Sequence, residues 1–186
     1  MEAFLVSVVL IAVGEIGDKT QLLALVLATR YRRRLPIVLG ILVATLANHT
    51  LAGMLGALLR DLVPGEWLRW LVAGSFVLMA LWALKPDRFE ERDAAADGSS
   101  RIFFITTAAF FMAEMGDKTQ IATIALAAQF RSLLAVVAGT TLGMLIADVP
   151  VVWLGRAAAG KVSLRLARLF AAALFVALAL AAVLTD

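Results

Sequence analysis

The 186-residue chain has no cysteine, which excludes disulfides, thiolate metal sites and cysteine nucleophiles together. It has a single histidine, and no His-Glu-x-x-His, Gly-x-Ser-x-Gly or phosphate-cradling glycine-rich loop. Hydrolase and nucleotide chemistry therefore have no footing, and no enzyme activity is expected. Charge is scarce at 17% of residues, where a soluble domain carries about 25%. Alternating stretches of about ten residues, the mark of a membrane barrel, are missing too. What fills the chain instead is apolar: 62% hydrophobic residues and a mean hydropathy of +0.94. The net charge of +3 is spread over short basic clusters between apolar runs, a pattern of membrane orientation, so no nucleic-acid partner is expected.

Six apolar runs stand out: Ala3–Thr29, Pro36–Leu59, Trp67–Leu84, Ile102–Gln129, Leu133–Gly155 and Leu166–Leu184. Each approaches or exceeds the roughly 18–20 residues that a helix needs to cross the hydrocarbon core. The expected fold class is all-α: a polytopic membrane protein with six transmembrane helices embedded in a lipid bilayer. The first run is not read as a signal peptide, because Glu2 stands in place of a basic leader and no small-x-small cleavage site follows. Arg30, Arg32, Arg33 and Arg34 follow the first run, Lys85, Arg88, Arg92 and Arg101 the third, and Arg156, Lys161, Arg165 and Arg168 the fifth. Only Arg60, Arg69 and Arg131 lie on the other side. The positive-inside rule then puts both termini outside and the central loop in the cytoplasm.

A shift of 99 positions, without gaps, lays Glu15-Ile16-Gly17-Asp18-Lys19-Thr20-Gln21 over Glu114-Met115-Gly116-Asp117-Lys118-Thr119-Gln120. The same shift pairs Gly40 with Gly139 and Leu55-Gly56 with Leu154-Gly155. The chain thus divides into a first three-helix repeat (1–84), a cytoplasmic linker (85–101) and a second three-helix repeat (102–186). An odd number of spans per repeat makes the two copies inverted. That plan recurs in secondary transporters, with the substrate site near the midplane between the halves.

Glu15, Asp18, Lys19, Glu114, Asp117, Lys118 and Asp148 all fall within expected spans. At about 2.5–3.5 kcal/mol each on the insertion scale, such groups must face one another or a water-filled cavity. Glu15 and Asp18 share one helical face, as do Glu114 and Asp117. If the copies pack about a pseudo-twofold axis, four carboxylates converge, a donor set suited to a divalent cation such as Ca²⁺ or Mn²⁺. Lys19 and Lys118 have no lone pair to offer a metal, so they are expected to pair with the acids, with snorkelling as the alternative. Thr20, Gln21, Thr119 and Gln120 either donate neutral oxygens or hydrogen-bond between helices. Gly17 and Gly116 are either packing notches or points of unwinding. The shift sets His49 against Asp148, with Asn48 beside the histidine. His49 is either a proton relay or nitrogen ligand, or a hydrogen-bonded interhelical histidine; for Asp148 a proton-carrying or supporting role is expected.

Two copies of Glu-x-Gly-Asp-[Lys/Arg]-[Thr/Ser], each on the first helix of a three-helix repeat, resemble the signature of a family of cation/proton exchangers. That family includes the Golgi transmembrane protein 165 and bacterial manganese exporters, and the resemblance covers essentially the whole chain. It implies that Glu15, Asp18, Glu114 and Asp117 form the site of a transported Mn²⁺ or Ca²⁺, exchanged for protons, with no permanently bound cofactor. Without the N-terminal extension and larger central loop of eukaryotic members, the chain looks like the compact prokaryotic form, in the inner membrane, where manganese export is expected. An exporter of another small solute such as an amino acid, and a nontransporting scaffold subunit, are the alternatives. A homo-oligomer is left open.

Overall fold

The computed structural model describes residues 1–31, 33–84, 98–154 and 164–184. Eight helices run through them: α1 (Glu2–Gly14), α2 (Lys19–Arg30), α3 (Arg34–Leu62), α4 (Gly65–Ala83), α5 (Ser99–Glu114), α6 (Lys118–Gln129), α7 (Leu133–Leu154) and α8 (Leu164–Leu184). No strand occurs among the described residues, so the class is all-α as expected. Most of the expected linker, 85–97, lies outside the described residues, as do Arg32, Arg156 and Lys161.

The first and fourth apolar runs are not single helices. Each is a pair of short helices meeting at the polar motif, because Gly17 (φ 81°) and Gly116 (φ 74°) adopt a left-handed backbone that interrupts a right-handed helix. Asp18 and Asp117 then return to extended backbone as the N-caps of α2 and α6. Of the two readings open for these glycines, unwinding is the one observed. Among the described residues, three helices, α3, α4 and α7, are long and apolar enough to cross a membrane alone.

Polarity is distributed inside out. Ser7, Thr45, Asn48, His49, Thr106 and Thr140 are fully buried, while large apolar side chains such as Leu35, Trp67, Leu78 and Phe104 stand more than half exposed. An apolar outer surface around a polar interior suits hydrocarbon as the solvent. The main packings are α1 on α7, α3 on α5 and α6, and α4 on α8. Small residues set the closest of them. A Cβ added to Gly139 of α7 would lie 2.6 Å from the Phe4 carbonyl and 2.8 Å from Ser7 Cβ. One added to Gly40 of α3 would meet Thr106 Cβ at 2.7 Å and the Phe103 carbonyl at 3.0 Å. Phe103 and Thr106 are Phe4 and Ser7 shifted by 99, so one backbone-to-backbone contact occurs twice.

Candidate cation site

The two helix breaks carry the polar motifs into the interior. Glu15 follows the end of α1 and Glu114 ends α5, and in both copies the amide of the motif aspartate closes a turn on the glutamate carbonyl (3.0 and 3.1 Å). Glu15, Asp18, Glu114 and Asp117 are all buried. Glu15, Glu114 and Asp117 each present a carboxylate oxygen, and these lie within 4.8 Å of one another. Oxygens Oε1 of Glu15, Oε1 of Glu114 and Oδ2 of Asp117 have no hydrogen-bond partner. Three carboxylates held so close repel one another in a poorly solvated interior, and a cation or protons between them relieves that repulsion.

The second oxygen of each glutamate is held by the motif threonine: Thr20 Oγ1 donates to Glu15 Oε2 at 2.5 Å, and Thr119 Oγ1 to Glu114 Oε2 at 2.7 Å. These bonds aim the remaining oxygens inward. The glutamines secure the breaks. Gln21 Oε1 accepts from the Gly17 amide at 3.0 Å and Gln120 Oε1 from the Gly116 amide at 2.8 Å. Their amide groups then cross to the opposite repeat, Gln21 Nε2 donating to the Ala147 carbonyl (3.0 Å) and Gln120 Nε2 to Asn48 Oδ1. Asn48 in turn donates to the Phe111 carbonyl at 3.5 Å. Ala147 is Asn48 shifted by 99, so this tether too is duplicated. All four of Thr20, Gln21, Thr119 and Gln120 make hydrogen bonds, the threonines within their own motifs and the glutamines also across to the opposite repeat.

The lysines pair with acids, crosswise. Lys19 Nζ lies 2.9 Å from Asp117 Oδ1, and Lys118 Nζ 2.8 Å from Asp18 Oδ1, so each motif's cation neutralises the other motif's aspartate. Asp18 is thereby engaged by Lys118 and stands outside the trio of converging carboxylates. Asp148 on α7 is buried without a hydrogen-bond partner, within electrostatic range of Glu15 and Glu114. His49 on α3 is likewise buried, with both ring nitrogens unpartnered; it is not part of the carboxylate trio, and the interhelical hydrogen bond weighed for it is not made. The crosswise pairing and the Gln21–Ala147 tether escape a reading of the motif alone. The signal for the second was present, since the same shift that pairs Gln21 with Gln120 pairs Asn48 with Ala147.

Comparison with known proteins bears on what such a site serves. A model of the family described as "Divalent cation/proton antiporter GDT1" matches residues 3–91 and 102–186. A Vibrio cholerae protein named "Putative manganese exporter" is 47% identical over 182 residues, covering 97% of this chain and 90% of its own length. The "GDT1-like protein sll0615" of Synechocystis is 32% identical over 195 residues, covering 94% of this chain and 93% of its own. "GDT1-like protein 5" of Arabidopsis thaliana is 27% identical over 222 residues. No solved structure matches the chain. The matched family is one of transporters and not of enzymes, which also sets aside a nontransporting scaffold. The chain belongs to the GDT1 family of divalent cation/proton antiporters.

Proposed function

We propose that the chain exports Mn²⁺ from the cytoplasm in exchange for protons, as two inverted three-helix repeats crossing the inner membrane six times. Both termini are outside and the central loop is cytoplasmic. The observation that carries the reading is the convergence of Glu15, Glu114 and Asp117 within 4.8 Å, buried between the two helix breaks. A carboxylate oxygen that coordinates a divalent ion cannot also carry a proton, so one group of acids serves both substrates in turn. Four acids and two lysines leave the site with a formal charge of −2, which one divalent ion or two protons neutralise. Protonation on the acidic side releases the metal, and deprotonation on the other side permits loading. Asp148 is placed to take part in the proton route.

The inverted arrangement is supported by the recurrence, at a spacing of 99, of the helix breaks, the threonine and glutamine hydrogen bonds and the Gly40 and Gly139 contacts. The basic clusters support the orientation. Mn²⁺ is preferred over Ca²⁺ on the name of the Vibrio cholerae relative; carboxylates alone accept both. Purified protein in liposomes, given an imposed pH gradient, is expected to move Mn²⁺ in the direction opposite to protons. Ca²⁺ and Mg²⁺ run in parallel rank selectivity. Flux indifferent to the pH gradient contradicts exchange.

A further inference from the structure

A site built from two equivalent motifs is not equivalent in this structure. The trio of converging carboxylates takes its aspartate from the second motif, Asp117, while Asp18 stays with Lys118. The two ion pairs also differ in their access to solvent: the Lys19 side chain is 26% exposed and the Lys118 side chain 5%. A partly solvated ammonium can leave its partner for water at small cost, whereas a buried one cannot without leaving two uncompensated charges. Asp117 is therefore a releasable ligand in this state and Asp18 a withheld one.

The surrounding helices carry the same asymmetry. α6 is pressed into α3, with Gly56 so close that an added Cβ would fall 2.2 Å from the Ile124 carbonyl. Arg60 of α3 donates to the Ala127 and Phe130 carbonyls (3.1 and 2.9 Å), latching the C-terminal end of α6. α6 also packs against α4. Among the described residues, its counterpart α2 packs mainly on α7 and α5. The α6 seam is tightly shut in this structure, and Lys19 is the more exposed of the two lysines. The cavity between the starts of α3 and α5, lined by Arg33, Arg34, Phe103 and Phe104 among others, includes no motif residue.

From these observations we infer that the transported cation changes one ligand as it crosses: Glu15 and Glu114 hold it throughout, Asp117 completes the site in the state with the α6 seam shut, and Asp18 replaces Asp117 when that seam opens. Lys19 and Lys118 are the tethered cations that occupy whichever aspartate is not in use. This rests on the cation-exchange reading and on the inverted repeats proposed above.

The chain has no cysteine, so a single engineered disulfide can hold the α6 seam shut. An added Cβ at Gly53 lies 4.0 Å from Ala127 Cβ, within the span of a disulfide, and its tightest neighbour is the flexible end of Leu133. Full-length protein carrying Gly53→Cys and Ala127→Cys, once oxidised, is expected to bind Mn²⁺ but not to transport it, and to recover transport on reduction. In that locked form Asp117→Asn with Lys19→Met should weaken Mn²⁺ binding by at least about tenfold, since even residues one step outside a metal's ligands cost 10–100-fold. Asp18→Asn with Lys118→Met should leave it within about threefold in the locked form while abolishing transport in the reduced one. Removing each pair whole avoids a stranded buried charge, and circular dichroism together with elution as a single species identifies properly folded protein. Equal losses in the two locked variants overturn the exchange of ligands but leave the cation site standing. No Mn²⁺ binding by the locked protein before either substitution overturns the cation site itself, and this inference with it.

Discussion

At the scale of single residues, the site is a set of carboxylates each aimed by a partner. Glu15 and Glu114 each give one oxygen to a threonine and keep one without a partner. Glu15→Gln or Glu114→Gln, nearly isosteric, removes a ligand charge and a proton site together, so each is expected to abolish most Mn²⁺/H⁺ exchange in proteoliposomes while the protein still inserts. Glu90→Gln and Glu91→Gln, in the linker outside the described residues, should transport like the unmodified chain. Thr20→Val and Thr119→Val remove only the aiming hydrogen bond. Each should weaken Mn²⁺ binding by about 10–100-fold without changing the fold, as read by isothermal titration beside a circular dichroism spectrum. Unchanged affinity in both would mean that the hydroxyls do not orient the glutamates.

At the scale of elements, the decisive feature is that the first helix of each repeat is broken. The runs Ala3–Thr29 and Ile102–Gln129 are the longest and carry polar interruptions, which suit broken or strongly tilted helices, but hydropathy averaged over a window does not locate a turn of four residues. The clue lay in polar and glycine residues clustered at mid-run, a pattern compatible with either packing or unwinding until the backbone is seen. Gly116 separates the two. Its added Cβ would meet nothing within 4 Å, so the only penalty for a side chain is the left-handed backbone, about 1–2 kcal/mol. Gly116→Ala is therefore expected to lower thermal stability in detergent by about that amount, whereas in an unbroken helix alanine would stabilise. A raised melting temperature would contradict the break.

At the scale of the whole molecule, the all-helical class, the apolar exterior, the duplication and the burial of the motif acids were legible in the sequence, because each follows from composition or from one gapless shift. The crosswise lysine pairs and the departure of Asp18 from the converging trio were not. Two chemically identical motifs give no hint of which aspartate joins the glutamates in a given state. In the proposed exchange metal and protons compete for the same acids, so Mn²⁺ binding should weaken steadily as pH falls and the carboxylates take up protons. The most direct test measures proton release on Mn²⁺ binding, in weakly buffered detergent solution, for the unmodified protein and for the Glu15→Gln/Glu114→Gln double variant. The unmodified protein should release protons as it binds Mn²⁺, more of them at lower pH while the site still binds, and the double variant should neither bind nor release. Mn²⁺ binding without proton release across the whole pH range, or release undiminished in the double variant, would contradict a shared site.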